Sequence, residues 1–352
     1  MSHRLRGFLC GLAILLVWGC GGGRPSDDAA PPVAPPAPSY RVYVTNETSG
    51  DLSVIDGARG EVVATVPLGK RPRGIKVSPD GRRAFVALSG SPVAPPGVDE
   101  DTLPPPDRTA DGVGVVNLAT LMVETVMRAG SDPEQVSLSA DGTRLFVANE
   151  DAGTASVLDV QSGKVITTLP VGGEPEGVTT SPDGRFVYVT SEEDGQVSAI
   201  DTATNTVIKR FEVGPRPRSS EFSPDSARAY VASENGSTVS VVDTSTHSVI
   251  ATIALIGEAV RPMGVAVSPD GRRVYVTTGR GGTVVAIDAA TNTPVGSVRV
   301  GERPWGIAVS PDGRRLYTAN GPSNDVSVVD VETMTVVATI PVGERPWGLA
   351  IR

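Results

Sequence analysis

The chain has 352 residues, and its 31 Lys plus Arg stand against 40 Asp plus Glu, a formal net charge of −9. With no basic tract and no interleaving of basic and aromatic residues, nucleic acid is excluded as a partner. Two His and two Cys are too few for a His/Cys zinc site or a disulfide framework, and His247, the single His beyond His3, reads as a turn residue, which leaves no His-based triad or His-ligated haem.

In chain order, Arg4 and Arg6 precede a nearly continuous apolar run, Phe8 to Trp18. The run is shorter than the roughly 20 residues a spanning helix needs, and the charged-then-apolar order is that of an export signal. Val17-Trp-Gly-Cys20 closes it and resembles a bacterial lipoprotein processing site, with Gly19 in place, Val17 where Leu is usual and a bulky Trp18. Residues 1–19 therefore read as a signal peptide and Cys20 as the lipidated first residue. Loss of Arg4 and Arg6 takes the net charge from −9 to −11. Residues 20–39, rich in Gly, Pro, Ala and Asp, cannot bury enough apolar surface to fold and read as a tether. Gly21 in place of an Asp favours the outer over the inner membrane, with the body facing the periplasm or the cell surface.

Residues 40–352 are a repeat. Tyr43-Val-Thr-Asn and its variants begin again at Phe85, Phe146, Tyr188, Tyr230, Tyr275 and Tyr317, and four of the six intervals are 42 residues. A period near 42 made only of short strands and turns predicts a β-propeller. Each unit reads as four antiparallel strands. The last unit shows them as Gly306 to Ser310, Leu316 to Asn320, Asp325 to Asp330 and Val336 to Val342. Ser-Pro-Asp-Gly turns, or the variants at Ser139 and Ser223, separate the first two strands, and Gly-x-x-Pro precedes six first strands, stretched in the other to Gly257-x-x-x-x-Pro262. The repeat starts at a second strand and stops after a first one. This predicts seven blades closed by pairing of the two termini, which removes the loose edges of an open array. The Tyr or Phe opening every second strand reads as packing between blades, and His247 as a solvated turn residue.

The places that break the repeat are the informative ones. Residues 89–111 are inserted between a second and a third strand, are proline-rich and carry Asp99, Glu100, Asp101, Asp107 and Asp111. A long loop of this kind reads as a lid, as a partner for basic residues or, less regularly than calcium loops require, as a cation site. The residues before each loop proline are Arg71, Asp132, Glu174, Arg216, Arg261, Arg303 and Arg345. Those after it are Arg73, Glu134, Glu176, Arg218, Met263, Trp305 and Trp347. Closed into a ring, they predict a channel mouth with a basic arc over five blades and an acidic arc over two. Two Trp side by side in the basic arc suit a planar or cationic ligand, and Arg forks suit carboxylate or phosphate.

The literal Tyr43-Val-Thr-Asn46 and its six variants make residues 37–352 similar to the YVTN family of β-propeller repeat proteins, related to archaeal surface-layer propellers. Some relatives are bacterial proteins associated with quinone-cofactor-dependent catabolism, of which the insertion is reminiscent. The resemblance implies the propeller and leaves chemistry open, since fold does not fix function. The expected function is a membrane-anchored binding or scaffold module. It would act through the mouth on an envelope protein or a small anionic or aromatic ligand, with no catalytic residue, metal or cofactor assigned. Two alternatives stand beside it: a lactonase-like or quinoprotein-related enzyme, with calcium or a quinone cofactor, and an adhesion or envelope-structural protein.

Overall fold

The computed structural model describes residues 40–93 and 102–352. The expected signal peptide, Cys20, the tether, and Asp99, Glu100 and Asp101 of the insertion lie outside the described residues. Among those residues no helix is long and apolar enough to cross a membrane.

The described residues form seven sheets of four antiparallel strands each, a seven-bladed β-propeller. The first strand of each blade is nearest the axis, and the first strands of neighbouring blades pack side by side around the whole ring. They are Pro346–Ile351 in blade 1, then Pro72–Val77, Pro133–Leu138, Pro175–Thr180, Pro217–Phe222, Val265–Val267 and Pro304–Val309 in blades 2 to 7. Blade 1 is the split one. Its first strand, from the C-terminus, pairs with Arg41–Asn46, and the order runs on through Asp51–Asp56 and Glu61–Pro67. Val42 faces Ile351, Tyr43 faces Ala350 and Val44 faces Leu349. Arg41 N–H donates to the Arg352 carbonyl at 2.6 Å and Arg352 N–H returns to Arg41 at 2.9 Å.

The repeat residues have separate jobs. Tyr188, Tyr230, Tyr275 and Tyr317, with Phe85 and Phe146, are fully buried in apolar clusters most of which draw on two adjacent blades. The motif Thr joins neighbours. Thr45 Oγ1 donates to the Arg73 carbonyl of blade 2 at 2.6 Å and accepts the Gly348 N–H at 2.9 Å. Thr277 does the same between blades 6 and 7, with the Trp305 carbonyl at 2.8 Å. The motif Asn pins its own hairpin, Asn46 Nδ2 to Asp51 at 2.6 Å and to Ser53 at 2.9 Å. In Ser310-Pro-Asp-Gly the serine hydroxyl donates to Asp312 at 2.6 Å while the same carboxylate accepts the Arg314 N–H.

First strands crowd because their third residue is mostly glycine. A Cβ on Gly348 would lie 2.4 Å from the Arg73 carbonyl oxygen, and one on Gly306 would lie 2.5 Å from that of Trp347. Close approach of backbones is the physical demand there.

His247 departs from expectation. It is 7% exposed, its Nδ1 lies 2.7 Å from the Tyr188 hydroxyl, and its ring packs edge-on against Phe186. Burial holds its pKa below the usual imidazole value. The turn position is as read, but the neighbouring blade 4 covers it.

Ring closure gives the first prediction. Deleting Gly348 to Arg352 strips the Arg41–Asn46 edge of its partner and opens the channel wall. The melting temperature should fall by about 10 °C or more. Thermal denaturation of full-length and truncated protein checks this, and coincident curves would contradict the closure.

Candidate functional site

The loops before the first strands and those joining second to third strands meet on one face. There the structure corrects the polarised mouth. The charges do not form two open arcs. They interlock, because the residue after each loop proline points to the axis and meets its counterparts from other blades.

These seven residues close the channel as a plug. Arg73 pairs with Glu134, and its Nη2 lies 4.0 Å from Glu176. Arg218 reaches Glu176 at 3.2 Å and pairs with Glu192. The Arg73 guanidinium lies over Trp347 at 4.8 Å and that of Arg218 over Trp305 at 5.1 Å. Trp305 and Trp347, equivalent residues of blades 7 and 1, have ring centroids 5.8 Å apart. Met263 fills the remaining place and is buried, as are Arg73, Glu134, Glu176, Arg218 and Trp347. Placing charge in such a position is costly unless every group is paired.

The pairing partners come from a row that the loop prolines do not reveal. The residue following each four-residue motif is Glu47, Ser89, Glu150, Glu192, Glu234, Gly279 and Gly321. Glu47 is shared by Arg71 Nε at 3.0 Å, Arg345 Nε at 2.8 Å and Arg73 Nε at 3.6 Å. Glu192 and Glu234 take Arg216 at 2.8 and 3.3 Å. Four Glu in seven otherwise equivalent places were a readable signal. Of the remaining rim residues, Arg261 donates to the Asn235 side chain, Glu174 is exposed, and Asp132 is buried.

At blades 2 and 3 the rim gathers further chemistry. Asp132, Glu134 and Glu150 bring carboxylate oxygens within 4.8 Å of one another. Arg71 lies 3.6 Å from Asp132, and Arg73 lies 3.8 Å from Glu150. Ser89 donates to Asp132. Burial, with Glu176 and Asp132 nearby, outweighs the two guanidinium groups and pushes Glu150 up to about 7. The described parts of the insertion dock beside this group. Lys70 meets Asp107 at 2.7 Å, Arg108 pairs with Asp151 and Asp111, and Arg71 donates to the Ser91 carbonyl. The insertion thus reaches blades 2 and 3, where acidic and basic groups mix.

Beneath the plug a cavity of about 530 Å³ runs down to the Ser-Pro-Asp-Gly turns. Lys76 and Glu221, at the same level three blades apart, and Arg352 are its charged wall residues below the plug. Burial raises the Glu221 carboxyl, and Lys76 opposes the rise.

Two family models match parts of the chain. One described as "Lactonase, 7-bladed beta-propeller" matches residues 203–340, and one described as "Cytochrome D1 heme domain" matches residues 140–262. Each spans less than half of the sequence. No curated protein matches the chain. Among solved structures, a putative 6-phosphogluconolactonase from Bacteroides fragilis is similar with a TM-score of 0.74 at 19% identity, over 91% of this chain and 100% of that one. A functionally unknown protein from Desulfotomaculum acetoxidans gives 0.73 at 17%, over 88% and 98%. Hydrazine synthase from Kuenenia stuttgartiensis gives 0.71 at 20%, over 82% and 92%. At these identities the likeness is one of fold. The residues here do not suit haem: His247 is the one histidine among the described residues, and it is buried away from the channel against Tyr188.

Glu47 tests the network. Glu47→Gln leaves three guanidinium groups short of a carboxylate and should cost about 3 kcal/mol or more. Glu302→Gln, at an exposed position, should cost under about 0.5 kcal/mol. Denaturant unfolding of both variants measures the difference.

Proposed function

We propose that this protein is a small-molecule enzyme of the lactone-hydrolase type, working at the rim of blades 2 and 3. The observation that carries the proposal is Glu150. It is a partly buried carboxyl poised near neutrality, with two guanidinium groups beside it and an inserted loop alongside. A general base works best with a pKa near the working pH. Arginines next to it suit the negative charge that develops on a carbonyl oxygen as water attacks. The partial match to seven-bladed lactonases supports this enzyme alternative better than the scaffold.

The chemistry follows from the residues. Glu150 as carboxylate takes a proton from water while the water oxygen adds to the ester carbonyl. Arg71, the more accessible of the two neighbouring arginines, faces the resulting oxyanion. The ring C–O bond then breaks, and the proton held by Glu150 passes to the leaving oxygen. Asp132 holds Arg71 and Ser89 in place.

Glu150→Gln should lower kcat on a hydrolysed lactone by about 10²-fold or more. Wild-type activity should rise with pH through about 7 as Glu150 ionises. Stability should run the other way. A carboxyl raised from 4.5 to about 7 on folding makes the native state bind the extra proton, so stability falls as pH rises between those values. Glu150→Gln should therefore melt higher than wild type at pH 8 and not at pH 4. A panel of aldono- and alkyl lactones with calorimetry at both pH values checks this. Full turnover by the variant would exclude Glu150 as the base.

We also propose that residues 1–19 export the chain and that Cys20 anchors it, on the strength of the short apolar run ending at Gly19-Cys20. Labelling with a radioactive fatty acid should mark wild type and miss Cys20→Ser; an unlabelled wild type would contradict the anchor.

A further inference from the structure

Rim arginines follow a rule. Arg216 sits between Glu192 of blade 4 and Glu234 of blade 5. Arg71 and Arg345 share Glu47. Two depart from the rule: Arg261, which donates to the Asn235 side chain instead, and Arg303. The two places from which a glutamate would reach Arg303 are Gly279 of blade 6 and Gly321 of its own blade 7.

Arg303 is left partly buried over Trp305, 5.2 Å from the ring centroid, with no acidic side chain in ion-pair contact among the described residues. The carboxylate it feels, Glu234, is already shared by Arg216 and Arg218. Burial first, and then its other charged neighbours, the cationic Arg345, Arg280 and Arg218, disfavour its charged form.

The space above Gly321 borders this corner. A Cβ built there would meet Trp305 Cδ1 at 3.6 Å, Trp305 Nε1 at 3.7 Å and the Arg345 side chain at 3.8 Å, all ordinary contacts. The Trp305 indole nitrogen therefore borders the same space. The Trp305 indole and the Arg345 side chain border this space, and Arg303 lies on the same indole, at the place where four other blades carry a glutamate of their own.

We propose that the space over Gly321 binds the carboxylate of a small organic acid, held by Arg303 and the Trp305 indole N–H. The ligand's carboxylate takes the position that glutamate takes beside Arg216 and Arg345. Arg–carboxylate pairing is charge-assisted and geometrically selective, and the tryptophan face suits an apolar or ring-bearing body. The site lies at blade 7, apart from Glu150 in blade 3, and is read by binding instead of turnover, so each proposal can fail without the other.

Trp305 and Trp347 are the tryptophans of the folded body, so their fluorescence reports occupancy. Benzoate and cyclohexanecarboxylate, titrated into the wild-type protein at low salt, should change that fluorescence saturably, with benzamide silent. Gly321→Glu supplies the missing carboxylate internally and should weaken benzoate binding about tenfold or more, as should Arg303→Met. Arg272→Met, at an exposed position, should leave the affinity unchanged. If Gly321→Glu fails to fold, Arg303→Met decides alone. Phenyl phosphate and inorganic phosphate form the competing arm, and tighter binding of either than of the carboxylates would overturn the choice of ligand. Absence of saturable carboxylate binding, or binding untouched in Arg303→Met, would overturn the site.

Discussion

Everything on the channel face depends on how buried Arg73 and Arg218 are neutralised. Each is a full charge at the axis of a ring of strands, and a lone guanidinium there would cost several kcal/mol. Glu134, Glu176, Glu192 and Glu47 meet that cost, and each cation lies on an indole face, Arg73 on Trp347 and Arg218 on Trp305. The plug in turn fixes the loops. Because Glu47 holds Arg71, Arg73 and Arg345 at once, it ties blades 1 and 2 together on the rim, while the Thr45 hydroxyl ties their strands just beneath.

A rigid plug makes local exceptions meaningful. Around Glu47, Glu192 and Glu234 the rim arginines Arg71, Arg345 and Arg216 are paired. At blade 3, three carboxyls share two arginines, one of which, Arg73, is also committed to the plug, and Glu150 keeps its proton to higher pH. At blade 7 the row is empty and Arg303 keeps its charge unpaired. Excess acid in one sector and excess base in another come from the same repeat, changed at three positions: Asp132, Glu134 and Glu150 in blade 3 stand where blade 7 has Arg303, Trp305 and Gly321.

Much of the architecture was legible in the sequence because it rests on local rules. A 42-residue period, Gly/Pro connections and a split repeat are enough for blade count and closure. Asp312 and Ser310 form the turn that their spacing implies, and Trp305 and Trp347 meet as equal loops require. The face was only half legible. The rim residues do meet on one face, but sorting them by sign around the ring treats them as fixed posts. Arg side chains span several ångströms, and those after the proline all point inward, so opposite charges from separate blades find each other. Glu47, Glu150, Glu192 and Glu234 were hidden in another register, one residue past the motif. His247 was misread for a similar reason: Tyr188 and Phe186, which bury it, are 59 and 61 residues away in sequence.

The central claim is that one carboxyl on this face is held near neutrality for proton transfer. Carbon-13 NMR titration of glutamate-labelled protein, with the Glu150 carboxyl resonance assigned by its loss in Glu150→Gln, measures this directly. The account predicts a midpoint near 7 for that resonance. A midpoint at or below the ordinary glutamate value of about 4.3 would mean that the arginines dominate, leaving Glu150 a structural ion-pair partner and the face without its base.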